Sequence, residues 1–226
     1  MQPFYSMNPK ITSTADGSYT LRLEEMDETY HSTNGALTEA RHVFVQNGFN
    51  SWDKKDLRIL EVGFGTGLNA MVTLDAFLKQ SVVERVHYTT LEKYPVAHEI
   101  CSQIAHGNLF EPKLTSEYKA MCAAEWEQDV EVLPNFLLHK KHFDLIEQNL
   151  DGEYDLVYFD AFAPSKQADM WSLDILRKST NVMAVNSIFV TYCAKGEVRR
   201  NLQSLGLEMH RVPGPPGKRE MLVGKK

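Results

Sequence analysis

From residue 57 onward, short apolar runs alternate with longer amphipathic stretches. Leu57-Arg58-Ile59-Leu60-Glu61-Val62 is nearly continuous in its apolar character and runs into glycines, the pattern of a strand buried on both faces of a parallel sheet. The spacing predicts a helix over 66–79, a strand over 86–91, and helices over 94–105 and 113–124. A short strand at 136–139 follows, then the strongly apolar Asp155-Leu156-Val157-Tyr158-Phe159. A helix over about 171–184, a strand at 187–191, a helix over 196–205 ending at Gly206, and two short strands near 207–212 and 220–223 complete the series. Upstream, Ile11–Thr14 and Ser18–Leu23 flank Ala15-Asp16-Gly17, and Asp-Gly is a hairpin turn signal. A polar loop at 29–35 leads into a helix over 36–47. Strands alternating with helices imply an α/β fold with a mainly parallel sheet. Right-handed crossovers then bring the strand C-termini to one edge, where ligands bind.

Composition narrows this picture. The 226 residues, 43% apolar and 24% charged, suit one folded α/β domain with a short extension and exclude a disordered chain. No apolar run approaches the roughly 18–20 residues of a membrane span. The start, Met1-Gln2-Pro3-Phe4-Tyr5, lacks the basic segment and apolar stretch of a secretion signal. Cys101, Cys122 and Cys193 form no CxxC pair and no disulfide framework, so they read as reduced thiols of a cytoplasmic protein. The net charge of −6 is an average: residues 194–226 carry eight basic and three acidic residues, a net +5, and the remainder carries −11. A basic C-terminal segment on an acidic body either is simply solvated or meets a polyanion.

The sharpest local feature is Glu61-Val62-Gly63-Phe64-Gly65-Thr66-Gly67-Leu68-Asn69, a glycine loop between a strand and a helix. Gly63 permits a tight turn, Gly65 a close approach of ligand to backbone, and Gly67 close packing of helix on strand. The helix start adds unpaired N–H groups. The spacing is GxGxG, without the third glycine of a dinucleotide site. An acid directly before the loop, Glu61, suits a cationic amino group better than a pyrophosphate. Glu92 ends the next strand, 25 residues after Gly67, where a carboxylate accepts hydrogen bonds from ribose hydroxyls. Together these features point to S-adenosylmethionine, which has an amino acid, a sulfonium and an adenosine but no phosphate. The plainer alternative is a glycine turn flanked by solvent-exposed acids.

Two more acids fall at the same predicted edge. Asp144 follows the third strand, where it either accepts from the adenine amino group or caps a helix. Asp160, in Tyr158-Phe159-Asp160-Ala161-Phe162-Ala163-Pro164, is delivered by an apolar strand. A carboxylate between a methyl donor and an amine orients the amine and stabilises the ammonium product. Its alternative role is a turn residue holding the loop backbone.

At this point a family resemblance enters. Asp160-Ala161-Phe162-Ala163-Pro164-Ser165-Lys166 with Asp169-Met170-Trp171 resembles the signature of the MnmC-type tRNA methyltransferase domain. The glycine loop, Thr191–Arg200, Pro213–Leu222 and Tyr30–Glu39 resemble the same family, so the likeness runs from about residue 16 to the end. It implies a class I S-adenosylmethionine-dependent methyltransferase fold, Rossmann-like with a mainly parallel sheet and a small N-terminal β-hairpin extension. The expected division is an extension over 1–50 packed on the core and a Rossmann-like methyltransferase domain over 51–226. The resemblance implies methyl transfer to the amine of 5-aminomethyl-2-thiouridine at the tRNA wobble position, with Asp160 beside donor and amine. It also implies a stand-alone form that lacks the flavin oxidoreductase domain of fused relatives and depends on separate enzymes for the aminomethyl intermediate.

The expected cofactor residues are therefore Glu61, Gly63, Phe64, Gly65, Gly67, Asn69, Glu92 and Asp144, with Tyr30 and Glu39 from the N-terminal segment. Lys140-Lys141-His142-Phe143-Asp144 departs from the Gly-Asp common in the family, which loosens the transfer to Asp144. Phe162 and Trp171 are candidates to stack on the substrate base, or else core residues. Lys166, Lys195, Arg199, Arg200, Lys218 and Arg219 are candidate contacts to the tRNA anticodon loop, with Arg199 and Arg200 alternatively a solvated helix face. His31 and His42 form no metal pattern, and Glu125–Glu131 reads as a solvated acidic loop. The rival functions are a small-molecule aminopropyl- or methyltransferase of the same fold, and a non-catalytic tRNA- or protein-binding module.

Overall fold

The structure, a computed structural model, describes residues 9–226. The segment at Met1–Tyr5, where no secretion signal is expected, lies outside the described residues. The Asp-Gly turn forms as expected, joining β1 (Lys10–Ser13) to β2 (Tyr19–Leu23). A short β3 (Glu28–Thr29) adds to them as a three-stranded antiparallel sheet. Next come α1 (Ala36–Ala40), which widens into a π-helical stretch over Arg41–Gln46, and a 3-10 turn at Phe49–Ser51.

The main sheet is built from β4 (Asp56–Val62), β5 (Arg85–Glu92), β6 (Asp129–Leu133), β7 (Phe136–His142), β8 (Tyr154–Phe159), β9 (Met183–Thr191), β10 (Glu208–Pro213) and β11 (Glu220–Lys225). Its order is β10-β11-β9-β8-β4-β5-β7-β6. The five inner strands β9, β8, β4, β5 and β7 pair in parallel, while β6, β10 and β11 run antiparallel at the two sides. The chain steps outward from β4 in one direction through β5 to β7, and in the other through β8 to β9. This reversal is the topological switch point of an open α/β sheet, where the loops part and leave a crevice.

Helices α2 (Leu68–Lys79), α3 (His98–Ile104), α4 (Thr115–Ala123), α5 (Leu173–Asn181) and α6 (Gly196–Ser204) connect the strands. Two apolar cores result, one on each face. The first joins Ala36, Ala40, Val43 and Phe44 of the N-terminal helix to α2 and to Ile59, Tyr88 and Phe136 of the strands. The second joins Leu60, Val157 and Phe159 to Trp171, Leu176, Val198 and Leu202. The N-terminal helix is thus part of the main core, and the small antiparallel sheet precedes it.

Three elements differ from the sequence pattern. The helix expected from 94 begins at His98, because Pro95 lies in the segment before it and disfavours helix at its neighbour. The helix expected over 171–184 ends at Asn181. β9 begins at Met183, pairs with Tyr154 and bulges through Asn186 at a φ of 63°, so an apolar run that suited either state goes to the sheet. The supposed acidic loop at 125–131 ends in an edge strand. In β6 Asp129 and Glu131 point outward, while Val130 and Val132 pack on the core. Outward carboxylates on an edge strand discourage further pairing.

Candidate cofactor and active site

A cavity of about 1100 Å³ opens over the C-terminal ends of β4, β5, β7 and β8. The glycine loop supplies one wall through Gly63, Phe64, Gly65 and Asn69. Backbone conformation explains the glycines. Gly63 has a φ of +96°, and a Cβ there would stand 2.8 Å from the Asp160 carbonyl oxygen. Gly65 has a φ of +53°, and a Cβ would meet the Tyr30 ring at 3.0 Å. Phe64 turns its ring into the body of the protein against Trp126. Gly67 starts α2 behind the wall and does not line the cavity, so its role is packing against Phe64.

Glu92 ends β5 on the wall. It accepts from the backbone N–H of Gly65 (3.0 Å) and of Tyr94 (2.8 Å). Burial pushes its carboxyl up, and these amides partly offset that. Asp144 also lines the cavity, but it caps no helix: the residues after it form a turn. Its Oδ1 accepts from the Ile146 N–H at 3.0 Å, and its Oδ2 pairs with Lys93 Nζ at 2.6 Å. Burial alone would raise its carboxyl, but Lys93 and the amide hold it below the usual range.

Asp160 follows β8 directly and faces the cavity. Burial raises its carboxyl to about 7, even though Asn69 Nδ2 donates to Oδ2 at 2.8 Å. Glu39 nearby pushes in the same direction and Lys218 opposes it. Glu39 is itself buried at the wall, where it accepts from the Ser32 N–H (2.9 Å) and pairs with Lys218. The Lys218 ammonium lies 3.8 Å from the centre of the Tyr192 ring. Tyr30 packs edge-on against Phe162, with centroids 5.2 Å apart, and both line the cavity.

Several sequence expectations need correction. Glu61 does not reach the cavity: it is fully buried beneath the loop, where Thr90 Oγ1 donates to it at 2.7 Å. A strand buried on both faces points alternate side chains into the protein, and Glu61 is one of these. Trp171 is core, since its Nε1 donates inward to the Phe162 carbonyl at 2.8 Å and its ring packs on Phe159. Lys218 is a wall residue tied to Glu39, not a free outward contact. Lys166 is exposed at the rim, with Nζ donating to the Met26 carbonyl at 2.8 Å. Lys195, Arg199, Arg200 and Arg219 stand off the cavity wall. Of these, Lys195, Arg200 and Arg219 are exposed and have no ion pair among the described residues. Arg199 is half-buried and donates to Gln203 Oε1 at 3.2 Å.

Tyr192 was missed. It follows β9 as Asp160 follows β8, and its hydroxyl donates to the Ala161 carbonyl at 2.8 Å. Its place after a strand at the same edge was the available signal. Among the described residues, no group of three or more His, Cys, Asp or Glu stands together to hold a metal ion.

The cavity suits S-adenosylmethionine on its donor set. The wall offers carboxylates at three strand ends and a glycine backbone that admits close approach. It also holds the buried Asn69 Oδ1, which has no partner, and an acceptor without a donor suits a cationic amine. Residues 138–226 match the family described as S-adenosyl-L-methionine-dependent methyltransferase. The MnmC2 structure from Aquifex aeolicus superposes with a TM-score of 0.74 at 28% identity, covering 98% of this chain and 71% of that one. Spermidine synthase from Thermotoga maritima shares the fold alone, with a TM-score of 0.57 at 12% identity over 97% of this chain and 68% of that one. The fold is that of the class I S-adenosylmethionine-dependent methyltransferases. Within that class its homologues are MnmC-type proteins. It is 33% identical over 216 residues to the tRNA 5-methylaminomethyl-2-thiouridine biosynthesis bifunctional protein MnmC of Burkholderia multivorans, covering 88% of this chain and 32% of that protein. The MnmC of Leptospira borgpetersenii is 31% identical over 220 residues, covering 89% and 33%. The chain thus spans about a third of the length of the curated relatives it matches.

Proposed function

We propose that this protein transfers a methyl group from S-adenosylmethionine to the primary amine of 5-aminomethyl-(2-thio)uridine at the tRNA wobble position, in the cytoplasm. The observation that carries this reading is Asp160. It is a half-buried carboxylate between the glycine loop and an aromatic-lined opening, in a chain whose homologues are named for this modification. The fold likeness to spermidine synthase carries no substrate, so the small-molecule reading is not favoured, and neither is a non-catalytic module.

The bound cofactor would supply an electrophilic methyl group on its sulfonium. Gly63 and Gly65 would let its amino-acid part approach the backbone, Asn69 Oδ1 would take its ammonium, and Glu92 its ribose hydroxyls. Asp144 would stand at the adenine end. The acceptor amine attacks only as the neutral base, and a free alkylamine is mostly protonated at neutral pH, with a pKa near ~10. Asp160 would orient the amine, favour its approach, and take up the proton that the methylated ammonium sheds. Tyr30, Phe162 and Tyr192 would receive the splayed base, and Lys166, Lys195, Arg200 and Arg219 the phosphates on either side. Other enzymes would supply the aminomethyl group.

The deciding experiment has two steps. Titration calorimetry should detect S-adenosylmethionine binding, and its absence would refute any methyltransferase reading. Incubation with tRNA carrying 5-aminomethyluridine, followed by nucleoside mass spectrometry, should yield the 5-methylaminomethyl product at the wobble position. Cofactor binding with no such product would refute the substrate.

A further inference from the structure

Two cysteines that the site does not use meet beneath the glycine loop. Cys101 belongs to α3 and Cys122 to α4, and neither lines the cavity. The Cys101 S–H donates to the Cys122 sulfur, and the Tyr118 hydroxyl borders both thiols. Lys140, a buried residue of β7, brings its ammonium beside the pair. Its Nζ donates to the carbonyls of Met121 (3.0 Å) and Cys122 (3.3 Å) and faces the rings of Trp126 and Phe64. A cation at this place favours a thiolate.

The two thiols are unequal. Cys101 is 5% exposed, whereas Cys122 is half-buried. The hydrogen bond from Cys101 holds the Cys122 thiol below its ordinary value, with burial opposing and Lys140 assisting. The same bond, together with burial, pushes the Cys101 thiol up. A thiol that ionises readily and meets solvent, next to a buried one, is the arrangement of an attacking and a resolving cysteine.

Short bonds connect the pair to the loop. Tyr118, one turn before Cys122 on α4, donates its hydroxyl to the Thr66 carbonyl at 3.0 Å. His106, just beyond α3, shares a 2.9 Å hydrogen bond with the Thr66 hydroxyl and packs on the Tyr118 ring. Thr66 lies between Gly65 and Gly67, so both segments hold the loop at one residue. A disulfide keeps its sulfurs at about 2 Å, far closer than a thiol hydrogen bond does. Closing it therefore draws α3 and α4 together and pulls on both anchors.

We propose that Cys101 and Cys122 are a redox-active dithiol that closes to a disulfide with hydrogen peroxide as oxidant, and that closure distorts the glycine loop and weakens S-adenosylmethionine binding. The Cys122 thiolate attacks a peroxide oxygen and becomes a sulfenic acid; the released hydroxide takes up the former thiol proton as water. The Cys101 sulfur then attacks the Cys122 sulfur. The S–S bond forms, the S–O bond breaks, and the hydroxyl leaves with the Cys101 proton as a second water. Two thiols are oxidised and one peroxide is reduced, and a dithiol reductant reverses the change. The effect on cofactor affinity rests on the methyl-transfer reading, whereas the thiol chemistry does not.

Reduced protein is treated with stoichiometric hydrogen peroxide, alkylated with iodoacetamide in denaturant and mapped by peptide mass spectrometry. The expected product is a Cys101–Cys122 cross-linked peptide that dithiothreitol removes, with Cys193, buried and with its thiol pushed up, recovered as a free thiol. Absence of that peptide, or Cys122 found only as sulfinic or sulfonic acid, would overturn the proposal. In Cys101→Ser the resolving thiol is gone, so Cys122 should stop at a sulfenic acid that dimedone captures; an unlabelled Cys122 would overturn its role as the attacking thiol. Calorimetry then compares S-adenosylmethionine affinity before and after oxidation. A loss of about ten-fold in the unaltered protein, restored by dithiothreitol and absent from peroxide-treated Cys122→Ser, is expected. Equal affinity in both redox states, or the same loss in Cys122→Ser, would overturn the connection to the loop. If the variants do not fold, the peptide map and the two affinities of the unaltered protein decide. If the reduced protein binds no cofactor, the proposed function falls while the peptide map still decides on the dithiol.

Discussion

Asp160 is where the chemistry of the site concentrates, because it is a carboxyl at the cavity wall that burial lifts toward neutrality. Burial raises it to about 7, so the ionised fraction grows through neutrality. Activity as kcat/KM should rise across pH 6–8 with that group, and Asp160→Asn should remove this rise and lower turnover about 100-fold or more while leaving a folded protein. A pH–rate profile of both proteins checks this. A raised folded pKa also means that the stability Asp160 contributes is present below about pH 4 and is lost as pH passes 7. Asp160 and Glu92 were legible in the sequence because each ends a strand, and a strand end in a parallel sheet has a known place. The direction of Glu61 was not legible. It sits in the same apolar run, but only the alternation of side chains between packed helices decides that it points into the protein rather than at a ligand.

At the scale of elements, the N-terminal segment closes the cavity. Asp16, recognisable in the sequence only as half of a turn, does more than turn the chain. Its carboxylate accepts from Ser18 and Thr14, and it also accepts from the N–H and hydroxyl of Thr38 in α1 (both 2.8 Å). Burial opposes the charge, but these donors hold its carboxyl well below the usual range. The hairpin thus caps a helix 22 residues further along. Asp16→Ala should cost about 1 kcal/mol, as a lost helix cap does, and denaturant unfolding measures it. The stability that Asp16 contributes is present above about pH 4 and is lost as pH falls toward its folded value. The glycine loop is the opposite kind of element, one whose backbone is irreplaceable. Gly63→Ala should abolish measurable S-adenosylmethionine binding in calorimetry, because it needs a positive φ and its Cβ would collide with the Asp160 backbone.

Over the whole molecule, charge is divided unevenly. The C-terminal residues that carry the +5 are strands and a helix of the main sheet, not a free tail. Part of that charge is used internally. Lys218 pairs with Glu39, Arg211 with Glu220, and Lys226 donates to the Thr180 and Met183 carbonyls. Lys195, Arg200 and Arg219 remain exposed. Reversing these three to Glu should weaken tRNA binding and flatten the plot of log affinity against log salt by about one unit per lost phosphate contact, with S-adenosylmethionine affinity unchanged. An unaltered salt slope would place the tRNA on another face.

What the sequence by itself determined is local. Apolar periodicity set the order and type of most strands and helices. Covalent adjacency set the glycine loop between β4 and α2 and the acids at the ends of β5 and β8. Where an apolar run suited two states, as at Val182–Val185, the local signal was not enough and pairing with Tyr154 chose the strand. What only the tertiary structure decided is which side chains meet. Lys218 reaches Glu39 across 179 positions, Trp171 turns inward to the Phe162 carbonyl, and Glu61 and Asp160 come to share Asn69 from two neighbouring strands and a helix. The reason is physical. Periodicity and turns are properties of neighbouring residues, whereas the direction, burial and charge state of a side chain are fixed by whatever distant segments pack around it.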